Sequence, residues 1–267
     1  MNTEAVAHYI AEWMSGYLDG TGAAGFVVGV SGGIDSAVVS TLAAMTGRRT
    51  LCVTLPIHQA QAQVDRAGEH VRRLTERYSN AEAAHADLTA AYDAFAGSFA
   101  PSLVQGVADL AGANARSRLR MTALYYFAGL NNLLVAGTGN KIEDFGVGFF
   151  TKYGDGGVDI SPIADLTKTE VYELGRWLRV PEAILVAPPT DGLFGDDRTD
   201  EQQIGATYPE LERAMAHAER GTDPALLSGR EREVYDIFLR RNRANRHKME
   251  PIPVCRIPRY LVEPAGR

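Results

Sequence analysis

Residues 28–36 read V-G-V-S-G-G-I-D-S. An apolar, β-branched run ends in paired glycines, and a helix-forming stretch follows. Glycines let successive backbone N–H groups point into one concavity, and a helix N-terminus adds positive potential. At the carboxyl end of a strand in an open α/β sheet, that combination is a site for phosphate oxygens. Two common phosphate loops are excluded. A Walker A loop requires Gly-Lys-Ser/Thr where Ile34, Asp35 and Ser36 stand, so its lysine is missing. A Rossmann fingerprint requires a third glycine, and none stands at its place. An aspartate beside phosphates repels them by itself. Asp35 makes chemical sense if Mg2+ lies between its carboxylate and the phosphate oxygens. Ser31 and Ser36 add hydroxyl donors.

Such a turn needs a strand before it and a helix after it, and the sequence supplies both. Phe26, Val27, Val28 and Val30 belong to a short buried strand. A helix is expected over 34–45, closed by Gly47. Residues 51–55 form a second strand stopped by Pro56, and a polar helix spans 60–78. This is a βαβ unit, and such units build parallel sheets with right-handed crossovers. Upstream, Val6, Ile10, Trp13 and Tyr17 recur at helical spacing. Downstream lie a short third strand at 82–86 and a mostly helical stretch at 89–132, broken near Pro101 and Gly112. A clear strand follows at 133–136, then glycine-rich segments at 137–139 and 154–157. Asp165 is expected to cap a helix reaching about Leu178. Pro188, Pro189 and the acidic loop 195–200 read as mobile, and the rest is helical to about Met249, before a Pro-rich tail. The fold class is α/β: a doubly wound open parallel sheet with flanking helices, in a single domain over residues 1–267.

Composition narrows the function. Of 267 residues, 45% are hydrophobic and 22% charged, values of an ordinary globular chain. A formal net charge of −6 argues against a general nucleic-acid binder, which needs a broad basic surface. The one basic cluster, from Arg240 and Arg241 to Lys248, reads by default as a solvated helix face. No apolar run approaches about 18 residues, so no membrane span is expected. The first twenty residues lack the pattern of a secretory signal. Cys52 and Cys255 are too few for a zinc quartet or a disulfide scaffold. A cytoplasmic location is expected.

The S-G-G-x-D-S string resembles the signature of the ATP pyrophosphatases, which cleave ATP between its α- and β-phosphates. Further strings follow in order: N-A-R-S-R-L-R-M at 114–121, G-T-G-N-K-I-E at 137–143, and F-F-T-K-Y-G-D-G-G-V-D at 149–159. S-P-I-A-D-L-T-K-T stands at 161–169, then Pro189-Thr190-Asp191 and His247-Lys248. The ordered set resembles the ammonia-dependent NAD synthetases over nearly the whole chain, most weakly at 89–112. The resemblance implies an adenine-nucleotide alpha-hydrolase-like fold. It implies ATP contacts at Gly29, Val30, Ser31, Gly32, Gly33, Ile34, Asp35, Ser36, Thr138, Lys168 and Thr190. It implies Mg2+ ligands at Asp35 and Glu143, and deamido-NAD contacts at Arg118, Lys152, Asp159, His247 and Lys248. Compared with shorter bacterial members, one extra residue lies between Glu143 and Thr151. Arg118, Lys152, Lys168 and Lys248, with Mg2+, supply local positive charge for two polyanions in a net-acidic protein. Outside this context each has an ordinary alternative: Lys168 solvated on a helix, Arg118 paired with a carboxylate such as Asp109.

The implied chemistry is amide formation through an acyl adenylate, with Asp35, Lys168 and Asp159 in catalytic roles. Asp159 is expected to bind or deprotonate ammonium. Ammonia rather than glutamine is the expected donor, because the synthetase motif begins at residue 29 and leaves no room upstream for an amidase. Rival readings are an adenylate-forming ligase acting on another carboxylate, a tRNA-modifying enzyme and a nucleotide sensor. The tRNA reading wants a basic surface and paired cysteines; the sensor needs neither Glu143 nor Lys152. Loop 194–200 is expected to act as a lid. The family's members are homodimers that share the dinucleotide between chains. The apolar content of 119–134, including Met121, Leu124, Tyr125, Tyr126 and Leu130, agrees with a helix face covered by a partner.

Overall fold

The computed structural model describes residues 1–100, 104–190, 192 and 198–262. Four parallel strands form one sheet in the order β3-β2-β1-β4: β1 Gly25–Gly29, β2 Arg49–Thr54, β3 Ala81–His85 and β4 Leu133–Val135. The register sets Val27 beside Leu51 on one side and Val135 on the other. From β1 the chain winds outward through β2 and β3, then crosses back to pair β4 with the opposite edge of β1. The strand order therefore reverses at β1, and open sheets hold ligands at the carboxyl ends around such a point.

Side-chain alternation divides the sheet into two buried faces. Phe26 and Val28 turn to α1 (Thr3–Asp19), α2 (Ile34–Met45) and α6 (Lys168–Trp177), in a core with Met14, Leu42 and Leu174. Cys52 packs on α3 (Gln61–Arg77) through Ala67, Val71 and Leu74. Val27, Leu51, Val53 and Val135 turn the other way, to Leu124 and Ala128 of α5 (Gln105–Asn131). Helices on both faces of a parallel sheet make the fold doubly wound. A separate core joins a π-helical turn, Ile142–Val147, to α9 (Tyr208–Glu219) and α10 (Gly229–Met249), through Ile142, Leu211 and Phe238.

Several expectations from sequence are corrected. Gly112 does not break α5, which continues through it for 27 residues. A Cβ at 112 would lie 2.8 Å from the Tyr92 hydroxyl, so glycine there admits α4 (Thr89–Ala96) to close packing. The expected break near Pro101 lies outside the described residues. Asp165 does not cap α6; its side chain is 99% exposed. Thr167 and Glu170 form a capping box instead, each side chain bonding the other's backbone N–H. In α1 the buried stripe is Ala7, Ile10, Met14 and Leu18, while Trp13 and Tyr17 are exposed. Asp200 is no part of a mobile loop: it is buried and opens α8 (Asp200–Ile204). Residues 194–197 of the expected lid, 194–200, lie outside the described residues.

Candidate active site

The glycine turn lies where β1 ends and α2 begins, anchored by the Val30 N–H donating to the Val53 carbonyl at 2.8 Å. Gly32 has φ +84°, and a Cβ there would stand 2.5 Å from the Gln63 carbonyl oxygen of α3. Both the left-handed backbone and this close approach require glycine. Ser31 and Ser36 secure the turn from inside. Their hydroxyls lie 3.1 Å apart, and the Ser31 N–H donates to Ser36 Oγ at 3.2 Å. The Ser36 hydroxyl also meets the Gly33 carbonyl at 3.0 Å.

Opposite the turn stands a buried chain of charges. Lys168, the first residue of α6, donates to Asp35 Oδ2 at 2.6 Å and to Glu143 Oε1 at 3.0 Å. Asn140, fully buried, donates to Asp35 Oδ1 at 3.1 Å. The same amide accepts the N–H groups of Ile142 and Glu143 at 3.1 and 3.2 Å, so it fixes both the loop and the π-helical turn carrying Glu143. The Tyr208 hydroxyl donates to Glu143 Oε1 at 2.5 Å, and the Lys168 ammonium lies 4.8 Å from the Tyr208 ring centroid.

Burial raises the Asp35 pKa, with Lys168 opposing and Glu143 reinforcing the shift. For Lys168, burial disfavours the charge, but Asp35 and Glu143 outweigh it and hold the ammonium protonated. Asp144 is pushed up to about 8 by burial and by the nearby Glu143, Asp155 and Asp35. The site concentrates negative charge, balanced locally by one lysine. Two carboxylates with hard oxygen donors fit a Mg2+ whose remaining ligands are phosphate oxygens and water. Among the described residues no group of three or more His, Cys, Asp or Glu is placed to hold a metal ion alone.

One cleft gathers the whole expected ATP set, the turn from Gly29 to Ser36 with Thr138, Lys168 and Thr190, together with Glu143, the second expected Mg2+ ligand. The Thr190 hydroxyl donates to the Arg198 carbonyl at 3.0 Å and accepts from the Gly192 N–H at 3.1 Å. The expected dinucleotide contacts form a second group beside the first. Arg118 Nε donates to the Lys152 carbonyl at 3.3 Å, and Lys152 Nζ reaches the His247 carbonyl at 2.5 Å. Lys248 donates to the carbonyls of Gly148 and Phe150, and burial lowers its pKa. Arg118 therefore meets Lys152, not Asp109, whose carboxylate accepts from Gln105 at 2.8 Å.

Asp159 follows Val158, which lines the cleft, and is not itself among the lining residues. Its Oδ1 accepts from the Tyr125 hydroxyl at 2.9 Å and its Oδ2 from the Val135 N–H at 2.8 Å. Both oxygens thus anchor β4 to α5. Sequence reasoning missed four polar groups at the cleft or behind it: Asn140, Asp144, Asp155 and Tyr208. Asp155 accepts from Ser117 at 2.6 Å and from the Thr151 N–H at 3.0 Å. Asn140 and Asp155 lie inside the quoted strings, so their signal was present. Tyr208 carries none beyond a helix-start pattern.

A doubly wound sheet with a lysine-free phosphate turn at its switch point, facing two carboxylates, defines a nucleotide-binding domain of the adenine-nucleotide alpha-hydrolase kind. The chain belongs to the NAD synthase family, which it matches over residues 6–252. It is 39% identical to the NH(3)-dependent NAD(+) synthetase of Syntrophomonas wolfei, over 98% of this chain and 99% of that one. It is 36% identical to that of Archaeoglobus fulgidus, over 96% and 98%. Among solved structures, the NMN synthetase of Francisella tularensis superposes with a TM-score of 0.83 at 31% identity, covering 96% of this chain and all of that one. The NAD+ synthetase of Burkholderia pseudomallei gives a TM-score of 0.71 at 29% identity, over 93% and 90%.

Proposed function

We propose that this chain makes NAD from deamido-NAD, ATP and ammonia, as a carbon–nitrogen ligase. The observation that carries the reading is the single cleft joining the glycine turn to Asp35, Lys168 and Glu143, in a chain aligned end to end with NH(3)-dependent NAD(+) synthetases. A carboxylate resists attack by ammonia because its leaving group would be oxide. Attack of a nicotinate carboxylate oxygen on the ATP α-phosphorus breaks the bond to the β-phosphate and releases pyrophosphate. Ammonia then adds to the acyl adenylate carbonyl, a proton is lost, and AMP departs with the oxygen. The turn's N–H groups and Lys168 hold phosphate oxygens, and Asp35 and Glu143 would hold Mg2+, which when bound would neutralise charge developing on pyrophosphate. Arg118, Lys152, His247 and Lys248 seat the dinucleotide.

The active unit in this reading is a homodimer. Tyr126 and Leu130 of α5 are 66% and 65% exposed, leaving an apolar helix face for a partner. No described helix is long and apolar enough to cross a membrane, which is consistent with action in the cytoplasm.

The test is a product assay with purified protein, ATP, Mg2+ and ammonium, offering either deamido-NAD or its mononucleotide counterpart. NAD, AMP and pyrophosphate in equal amounts from the dinucleotide support the reading. Preferential amidation of the mononucleotide, the product named for the Francisella neighbour, would overturn the substrate. Equal turnover on glutamine without ammonium would overturn the nitrogen donor.

A further inference from the structure

Glu143 receives two hydrogen bonds from described side chains, and both end on Oε1. One donor, Lys168, is shared with Asp35 and is expected to serve ATP as well. The other, Tyr208, has a single proton. Its hydroxyl oxygen lies 2.5 Å from Glu143 Oε1 and 3.4 Å from Asp200 Oδ2, so the shorter contact takes the proton. The ring that carries the hydroxyl is held fast. Tyr208 is 3% exposed and packs in the core containing Ile142, Leu211 and Phe238. Its N–H donates to Glu201 at 2.9 Å, and the Thr207–Glu210 capping box fixes the helix start.

We propose that Tyr208 is a positioning residue for the metal site: its hydroxyl fixes Glu143 through Oε1 and leaves Oε2 to meet the cation. This rests on the reading of Asp35 and Glu143 as Mg2+ ligands. A glutamate side chain has three rotatable bonds, and fixing one oxygen removes most of that freedom before the cation arrives. The phenol suits the task because it is a neutral donor: it orients the carboxylate without cancelling the charge that attracts the metal. Tyr208 touches neither nucleotide nor reacting atoms in this role; it acts through Glu143.

The experiment is Tyr208→Phe, which keeps the buried ring and removes only the hydroxyl. Mn2+ binding in the presence of a non-hydrolysable ATP analogue, read by electron paramagnetic resonance, is expected to weaken roughly tenfold, the scale of one hydrogen bond to a charged group. The Mg2+ concentration for half-maximal pyrophosphate release rises in parallel, and the rate recovers at saturating Mg2+. Tyr235→Phe is the control, since Tyr235 is buried in the same core and, among the described residues, its hydroxyl hydrogen-bonds only to the Thr222 carbonyl, at 3.3 Å. Unchanged Mn2+ affinity in Tyr208→Phe overturns the proposal, as does equal weakening in Tyr235→Phe, which would mark a general core effect. Glu143→Gln separates the underlying reading. If that variant binds Mn2+ like the wild type, Glu143 is no ligand and the site assignment fails before the Tyr208 question arises.

Discussion

Lys168 Nζ lies 2.6 Å from Asp35 Oδ2, a contact that joins residues 133 apart in sequence and ties α6 to the phosphate turn. With Glu143 on its other side, the ammonium is the only described side chain that bridges the two carboxylates. Its side chain is 4% exposed, so its charge cannot be replaced by water without local opening.

Lys168→Met is therefore expected to harm both folding and chemistry. Removing one partner of a buried ion pair leaves uncompensated charge and costs about 3 kcal/mol or more. The loss is read as a lowered denaturant midpoint, partly restored by Mg2+, which can take over the neutralisation. Pyrophosphate release should fall by roughly a hundredfold or more. Lys168→Arg should not rescue it, because a planar guanidinium does not fit where one compact ammonium meets two carboxylates. A stable, fully active Lys168→Met protein would show that the bridge is incidental.

Asp35→Asn and Glu143→Gln keep side-chain volume while removing a hard anionic ligand. Each is expected to retain the fold and to depress adenylation by roughly a hundredfold. The deficit is measured as pyrophosphate release at fixed ATP over a Mg2+ titration. Near-normal release by either variant would remove that residue from the cation site.

How much of this was legible in the sequence differs by level. The strands and the phosphate turn were readable because period, β-branching and paired glycines all point the same way. Asp35 was legible in the motif itself, Glu143 and Lys168 were named from resemblance, and the structure brings the three together. Their geometry was not readable, since it depends on the crossover from β3 that sets β4 beside β1 and on a π-helical turn with no sequence signature. Trp13 and Tyr17 misled because apolar residues at helical spacing can mark either an inner or an outer stripe. Gly112 misled because a helix tolerates one glycine at a cost of about 1 kcal/mol when packing favours it. Asp159 was named from resemblance as a dinucleotide contact and catalyst; its hydrogen bonds to Tyr125 and the Val135 N–H, which tie β4 to α5, carry no sequence signal. Tyr208 was invisible because a buried phenol with a polar duty reads like any other core aromatic.

Acid stability should carry the mark of His70. This residue is buried between α2 and α3, with Nε2 2.9 Å from Ser40 Oγ, and burial pushes its pKa down to about 4. In the unfolded chain a histidine titrates near about 6.5. Between those values the unfolded state binds the proton and the folded state does not, so stability is present above about 6.5 and falls as pH drops toward 4. The full contribution is roughly 3 kcal/mol. Urea midpoints measured from pH 7 to pH 4.5 should fall along this limb, and His70→Gln should flatten it. An unaltered slope in that variant would exclude His70 as the source.

The final prediction concerns the shared site. Arg118 lies on α5, the helix whose Tyr126 and Leu130 remain exposed, and its Nε meets the Lys152 carbonyl among the dinucleotide contacts. Covering that apolar face with a second copy would bring Arg118 of one chain beside the ligand of the other. Twofold assemblies are the commonest closed arrangement, and the same patch then serves both subunits. The prediction is tested by complementation. Arg118→Ala and Asp35→Asn chains, each inactive alone, are co-expressed with different tags, and the mixed dimer is isolated. If each site draws Asp35 from one subunit and Arg118 from the other, one site in the mixed dimer is intact and the other carries both defects. Activity should return to about half that of the wild-type dimer, the one-intact-site limit for independent sites. No recovery in a verified mixed dimer would place both residues in the same subunit's site, and full activity of a monomer, shown by light scattering under assay conditions, would reject the dimer altogether.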